Sequence, residues 1–194
     1  VIKKLCEQHR LLLIFDEIQT GLGRTGTLFA HEQLGVVPDI LTMAKALGNG
    51  LPIGAMMTRD DIAAAFTPGS HASTFGGNPV AAAAAVAVLE IMLANGFLAE
   101  VQDKSAYFRK QLTGLAERFP TIIGSVRGMG LLLGAVLTEH GATHGAAIVA
   151  KMFERGFLMN FAGNVALRFV PPLVVSVEEI DILVAALGEV LTEL

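Results

Sequence analysis

Two ionisable residues stand where buried strands would deliver them. The apolar run Leu11-Leu12-Leu13-Ile14-Phe15 ends at Asp16, and Asp39-Ile40-Leu41-Thr42-Met43-Ala44 ends at Lys45, 29 positions after Asp16. A short unbroken apolar run such as the first is expected as a strand buried on both faces, as in a parallel sheet. In open α/β sheets, ligands sit beyond the carboxyl ends of the strands. An amine and a carboxylate placed there can work as a pair. The amine forms an imine with an aldehyde, and the carboxylate pairs with a protonated pyridine nitrogen and keeps that ring an electron sink. These are the requirements of a pyridoxal 5'-phosphate site. Taken singly, each residue has a plainer reading: the Asp as a helix cap or surface charge, the Lys as a side chain whose amine reaches out to solvent along an apolar stem.

The elements that must position this pair are legible around it. Residues 1–10 read as the end of an amphipathic helix, and Ile53-Gly54-Ala55-Met56-Met57 as a third strand. Thr58 and Asp61 are expected to cap a short helix reaching Phe66. Asn78 followed by Pro79 is a strong helix start. It opens an Ala-rich helix that Asn95-Gly96 closes. A second helix is expected from Leu98 to Phe119, stopped by Pro120. Beyond it, Ile122 to Leu137 reads as strand material interrupted by glycines. Ala142 to Arg155 reads as a helix closed by Gly156, and Val165 to Val170 as a strand. The last helix starts at a capping box, Ser176 with Glu179, and Val175 and Ile180 are spaced as its hydrophobic staple. A boundary is expected near residue 100. It separates an α/β part (residues 1–100) from an α+β part (residues 101–194).

Composition narrows the function classes. Of the 194 residues, 53% are hydrophobic and 16% charged, so a globular core and not a disordered chain is expected. The net charge of −4 and the absence of a basic patch argue against nucleic acid as a partner. The most apolar stretch, residues 80–94, carries Glu90 and is too short for a membrane span. The single cysteine, Cys6, allows no internal disulfide and agrees with a reducing, cytoplasmic setting. The chain begins at Val1 inside a helical pattern, which is expected of a fragment lacking an N-terminal segment.

The words around the pair carry a resemblance. Asp16-Glu17-Ile18-Gln19-Thr20-Gly21-Leu22-Gly23-Arg24-Thr25-Gly26 resembles the D-E-x-Q-x-G-x-G-R-T-G signature of class III aminotransferases. Pro38-Asp39-Ile40 followed by Ala44-Lys45-Ala46-Leu47-Gly48 is similar to their cofactor-lysine segment. Ser73-Thr74-Phe75-Gly76-Gly77-Asn78-Pro79 is similar to their phosphate-contacting loop. Arg127-Gly128-Met129-Gly130-Leu131 and Leu167-Arg168-Phe169-Val170-Pro171-Pro172 match later landmarks in the same order. Within the family, residues 66–75 and the Arg168 segment look most like acetylornithine aminotransferases.

The resemblance implies part of a fold type I pyridoxal-phosphate transferase: the end of its large domain, then a smaller α+β domain. It implies Lys45 as the covalent anchor, Asp16 on the pyridine nitrogen, Gln19 on the ring's phenolic oxygen and Ile18 against a ring face. Thr74 would contact the cofactor phosphate in a neighbouring subunit of a homodimer. Arg168 would bind a substrate α-carboxylate, a task suited to a planar bidentate fork, and Ser73 would lie on the substrate side. The implied reaction moves an amino group from N-acetyl-L-ornithine, or another ω-amine such as ornithine or 4-aminobutyrate, to 2-oxoglutarate. The family's N-terminal half brings a Gly-rich phosphate loop and an aromatic that stacks on the ring. Neither is found here, so this chain alone is expected to hold an incomplete site, or to be an inactive fragment.

Other candidates carry less. Gly21-Leu22-Gly23-Arg24-Thr25-Gly26 fits G-x-G-x-x-G after a strand, but two carboxylates precede it and would repel a pyrophosphate. Glu17 reads as structural. Arg127 suits a carboxylate contact or a glycine-rich turn. His140 and His144 read as a surface turn without an acid to complete a metal set.

Overall fold

β1 (Ile14–Asp16) and β2 (Ile40–Met43) pair in parallel in the computed structural model, which describes residues 1–194. Their register sets Ile14 opposite Ile40, Phe15 opposite Leu41 and Asp16 opposite Thr42. β3 (Ala55–Thr58) lies on the other side of β2 and runs antiparallel to it, completing a three-stranded sheet. α1 (Ile2–His9) precedes this sheet. α2 (Ala30–Leu34) falls between β1 and β2, and α3 (Asp60–Ala63) follows β3. α4 (Pro79–Leu93) packs beside the 3-10 turn Lys45–Leu47 that leaves β2. Residues Val1–Leu98 form one compact unit and Ala99–Leu194 a second.

The first unit corrects one expectation. The run 11–15 is not buried on both faces within this chain. Leu11, Leu12 and Ile14 are 60%, 52% and 57% exposed, and only the last two of its residues belong to β1. β2, with partners on both edges, buries Leu41 and Met43.

Where β1 and β2 begin and β3 ends, a buried carboxylate ties four segments together. Asp39 accepts from the Leu13 N–H at 2.8 Å and from Lys3 Nζ at 3.2 Å, and it pairs with the Arg59 guanidinium. Thr58 Oγ1 donates to the Asp39 carbonyl at 2.8 Å, so it does not cap α3 as expected; the N-cap position is Arg59, which makes no side-chain cap bond. The Leu13 N–H and then the Arg59 guanidinium and Lys3, working against burial, hold the Asp39 carboxyl at about 2, below its ordinary 3.8. A folded-state value below the unfolded one makes this stability complete above the ordinary carboxylate range and lost as pH falls towards about 2. Asp39→Ala leaves the Leu13 N–H without this acceptor, while the exposed Arg59 keeps Asp61, and is expected to cost about 1–2 kcal/mol at neutral pH. Urea unfolding should show that difference shrinking below pH 4, in step with the Asp39 titration.

The second unit is a four-stranded antiparallel sheet in the order β4-β5-β7-β6, from β4 (Ile123–Met129), β5 (Leu132–Leu137), β6 (Asn160–Ala162) and β7 (Ala166–Phe169). Alternation gives it one apolar face. Leu133, Ala135, Leu137, Leu167 and Phe169 are buried, with Val101, Phe108 and Leu112 of α5 (Phe97–Arg118), Ile148 and Met152 of α6 (Glu139–Glu154) and Leu187 of α7 (Val177–Thr192). Phe108 meets Phe169 edge to face at 5.4 Å. α6 approaches β6 closely at Gly145, where a Cβ would stand 2.4 Å from the Phe161 ring, so a larger residue would have to displace that ring.

The helix starts follow local chemistry. Asn78 Oδ1 accepts from the Val80 and Ala81 N–H groups, with Pro79 first in the helix. Ser176 and Glu179 form the reciprocal capping box, and Val175 and Ile180 are buried beside it. α6 begins three residues before the expected start, because Thr138 Oγ1 caps the Gly141 N–H at 2.9 Å. His140 and His144 therefore lie on the first turns of a helix and not in a turn, with their rings edge to face at 5.1 Å. No single helix is long and apolar enough to cross a membrane.

Candidate functional site

The parallel pairing of β1 and β2 brings their carboxyl ends side by side. Asp16 is the last residue of β1, opposite Thr42, and Lys45 lies just past the end of β2. The ladder runs one step further, with the Glu17 N–H donating to the Thr42 carbonyl at 2.9 Å. Asp16, Ile18, Gln19 and Lys45 thus share one end of the sheet.

Lys45 is exposed and has a left-handed backbone, φ 47°. A non-glycine residue in that region costs roughly 1–2 kcal/mol, and such strain clusters at functional sites. The turn that holds it is closed by Leu47 N–H to the Ala44 carbonyl at 3.0 Å and Gly48 N–H to the Lys45 carbonyl at 3.3 Å. A Cβ on Gly48 would lie 2.1 Å from the Leu51 carbonyl oxygen, so glycine lets the chain fold back directly after the lysine. Buried Leu47 anchors the turn, against which α4 packs.

Asp16 is exposed too, and its Oδ1 accepts from the Ile18 N–H at 3.0 Å. That bond fixes the carboxylate relative to the Ile18–Gln19 turn. Ile18 is half-buried and Gln19 exposed. An amine presented on strained backbone, beside a carboxylate oriented by its own turn, fits the donor set that a pyridine aldehyde cofactor needs.

Glu17 points the other way from Asp16, as strand alternation requires, and is 4% exposed. Its carboxylate accepts from Thr20 Oγ1 at 2.7 Å, from the Ala30 N–H at 2.9 Å and from the His31 N–H at 2.8 Å, and His31 Nδ1 lies 3.3 Å away. Burial pushes the Glu17 carboxyl upwards, but the donors from Ala30, Thr20 and His31 outweigh it and hold the group below its usual value. The sequence marks Glu17 as structural but does not show these partners. The available signal was a second acid directly after the first, ahead of a helix start at Ala30.

This carboxylate also settles the glycine pattern. The segment from Gly21 to Gly26 continues through turns, and the helix after it begins only at Ala30. The N–H groups at that helix start, where a pyrophosphate would bind, already serve Glu17.

Ser73 and Thr74 lie elsewhere, on the exposed loop that leads into α4. Met56 and residues 66–71 line an open hollow of about 510 Å³ next to that loop in sequence. Arg168 belongs to the second unit. It sits on β7 opposite Gly134 of β5 and Asn160 of β6, and Arg127 of β4 is also opposite Gly134. Cross-strand partners project to the same side, so Arg127 and Arg168 share the face turned away from the helices, with a glycine between them. A bare G-rich turn does not describe Arg127; it is a strand residue.

A family model described as aminotransferase class-III matches residues 1–191. The acetylornithine aminotransferase of Methanocaldococcus jannaschii is 48% identical over 193 residues, covering 100% of this chain and 47% of the relative. That of Myxococcus xanthus is 50% identical over 181 residues, covering 93% of this chain and 44% of the relative. Among solved structures, N-acetylornithine aminotransferase from Stenotrophomonas maltophilia aligns with a TM-score of 0.87 at 41% identity, over 99% of this chain and 50% of that one. Ornithine aminotransferase from Toxoplasma gondii aligns at 0.91 and 36% identity, over 98% and 45%. The chain spans about half the length of the curated relatives it matches.

Proposed function

The chain belongs to the class III aminotransferase family, and from that premise we propose that the full-length protein transfers the terminal amino group of N-acetyl-L-ornithine to 2-oxoglutarate, a step of arginine synthesis. The observation that carries the reading is the delivery of Asp16 and Lys45 by the carboxyl ends of adjacent parallel strands. Acetylornithine aminotransferase relatives at 48–50% identity support the choice of substrate.

Pyridoxal 5'-phosphate, the cofactor of this family, supplies an aldehyde carbon and an electron-accepting ring when bound. Lys45 Nζ is the covalent anchor. With an amine substrate in the site, Lys45 Nζ would take the proton from the substrate carbon that bears the transferring nitrogen. Asp16 holds a proton on the pyridine nitrogen. Gln19 donates to the phenolic oxygen and Ile18 lies against the ring. Arg168 binds the α-carboxylate, with Ser73 on the substrate side. Thr74 contacts the cofactor phosphate in the other subunit of a homodimer. In this reading residues 1–100 are the end of the cofactor-binding domain, residues 101–194 are the small domain, and the enzyme works in the cytoplasm.

The test is a substrate profile of the full-length protein with 2-oxoglutarate as acceptor. We expect parallel double-reciprocal lines, as two half-reactions require, and kcat/KM highest for N-acetyl-L-ornithine. The structural likeness to an ornithine aminotransferase at a TM-score of 0.91 supports ornithine as the second reading. A preference for ornithine or 4-aminobutyrate would move the assignment to that donor. Intersecting lines would contradict the two-half scheme.

A further inference from the structure

Glu17 is a buried charge with no part in the chemistry described above, yet every polar group it owns is engaged at the site's edge. Its N–H reaches the Thr42 carbonyl at 2.9 Å, and its carbonyl takes the Gly21 N–H at 2.9 Å. Its carboxylate gathers Thr20, Ala30 and His31. Three segments meet on this one residue: the end of β2 that leads to Lys45, the turn from Asp16 to Thr20, and the start of α2. Thr20 closes the far side of the turn in which the Ile18 N–H aims Asp16 Oδ1. Residues 17–31 form a closed loop whose base is the Glu17 contact with Ala30 and His31, and whose interior holds buried Leu22 and Thr25.

We propose that Glu17 is a positioning residue: its carboxylate clasps the loop 17–31 so that Asp16 and Gln19 are held rigidly against the end of β2 and towards the cofactor. The inference rests on the reading of Asp16 as the partner of the pyridine nitrogen. The physical case is one of stiffness. Asp16 is exposed, so burial does not fix it. A fixed point directly beside it is the Glu17 cluster. An ionised acceptor with hydroxyl and amide donors is stronger than a neutral one, and a buried position excludes the water that would compete for those donors.

The experiment compares Glu17→Gln with Asp16→Asn in the full-length holoenzyme. It reads the Kd for pyridoxal 5'-phosphate and the pH midpoint of the bound cofactor's visible absorbance. Glu17→Gln keeps the size and loses the charge. It is expected to raise Kd about tenfold, the size of one lost charge-assisted hydrogen bond, and to shift the midpoint in the same direction as Asp16→Asn. A residue that only stabilised the fold would leave the midpoint in place. Thr20→Val removes one donor to Glu17 from a half-buried position. It should shift the midpoint the same way by a smaller amount, which keeps the test open if Glu17→Gln folds poorly. Native Kd and native midpoint in the Glu17 and Thr20 variants, alongside a shifted Asp16→Asn, would overturn the positioning role alone. An unmoved Asp16→Asn would overturn the ring-nitrogen reading beneath it.

Discussion

Lys45→Ala is expected to lower turnover of the full-length enzyme by at least about 10³-fold, because it removes the covalent anchor and the group that moves the substrate proton in one change. General acid–base catalysis alone accounts for about 10²–10⁴-fold in typical enzymes. The variant should still fold. Lys45 is exposed, and its φ of 47° is a cost to stability that alanine shares. Leu47, Gly48 and the turn's backbone bonds remain to hold the end of β2. Melting temperature should therefore stay near that of the parent while activity collapses. Added methylamine can restore part of the proton transfer without restoring attachment. Near-native turnover in the variant would remove Lys45 from the mechanism.

Asp16→Asn is expected to lower kcat by about 10²–10³-fold, the usual effect of removing one preorganised electrostatic partner of a charge that develops in the reaction. The substitution is nearly isosteric. The asparagine Oδ1 can still accept from the Ile18 N–H, at 3.0 Å in the parent, so the turn keeps its shape. What goes is the charge that favours the pyridinium, and with it the ring's capacity to take electrons. Substrate KM should change less than kcat, since the interaction strengthens along the reaction and is not a uniform binding contact. Unchanged kcat would exclude the ring-nitrogen role.

The residues that identify these two positions were legible in the sequence because their surroundings obey short-range rules. Asn78 with Pro79 and Ser176 with Glu179 specify helix starts through bonds spanning two or three residues, and the structure makes those bonds. The long helices and the strands that lead to Asp16 and Lys45 follow from apolar runs of the right length. What was not legible depended on distant partners. Thr58 looked like a cap, but the Asp39 carbonyl, 19 residues away, takes its hydroxyl. β6 has only three residues and gains its identity by pairing with β7. Glu17 collects donors 13 and 14 residues on, at a helix start that the sequence analysis does not place. The run at residues 11–15 is as apolar as a strand covered on both faces, but burial needs neighbours, and within this unit Leu11, Leu12 and Ile14 have few. The placing of Arg127 on β4 and Arg168 on β7, across Gly134 of β5, likewise appears only once register is known.

The most direct test of the account is the chemical identity of the lysine that holds the cofactor. The full-length protein, saturated with pyridoxal 5'-phosphate, is reduced with borohydride, digested and analysed by mass spectrometry. The account predicts one stoichiometric phosphopyridoxyl adduct, on the peptide that carries Lys45, and its loss when N-acetyl-L-ornithine is added before reduction. An adduct on another lysine, or none at Lys45, would contradict it.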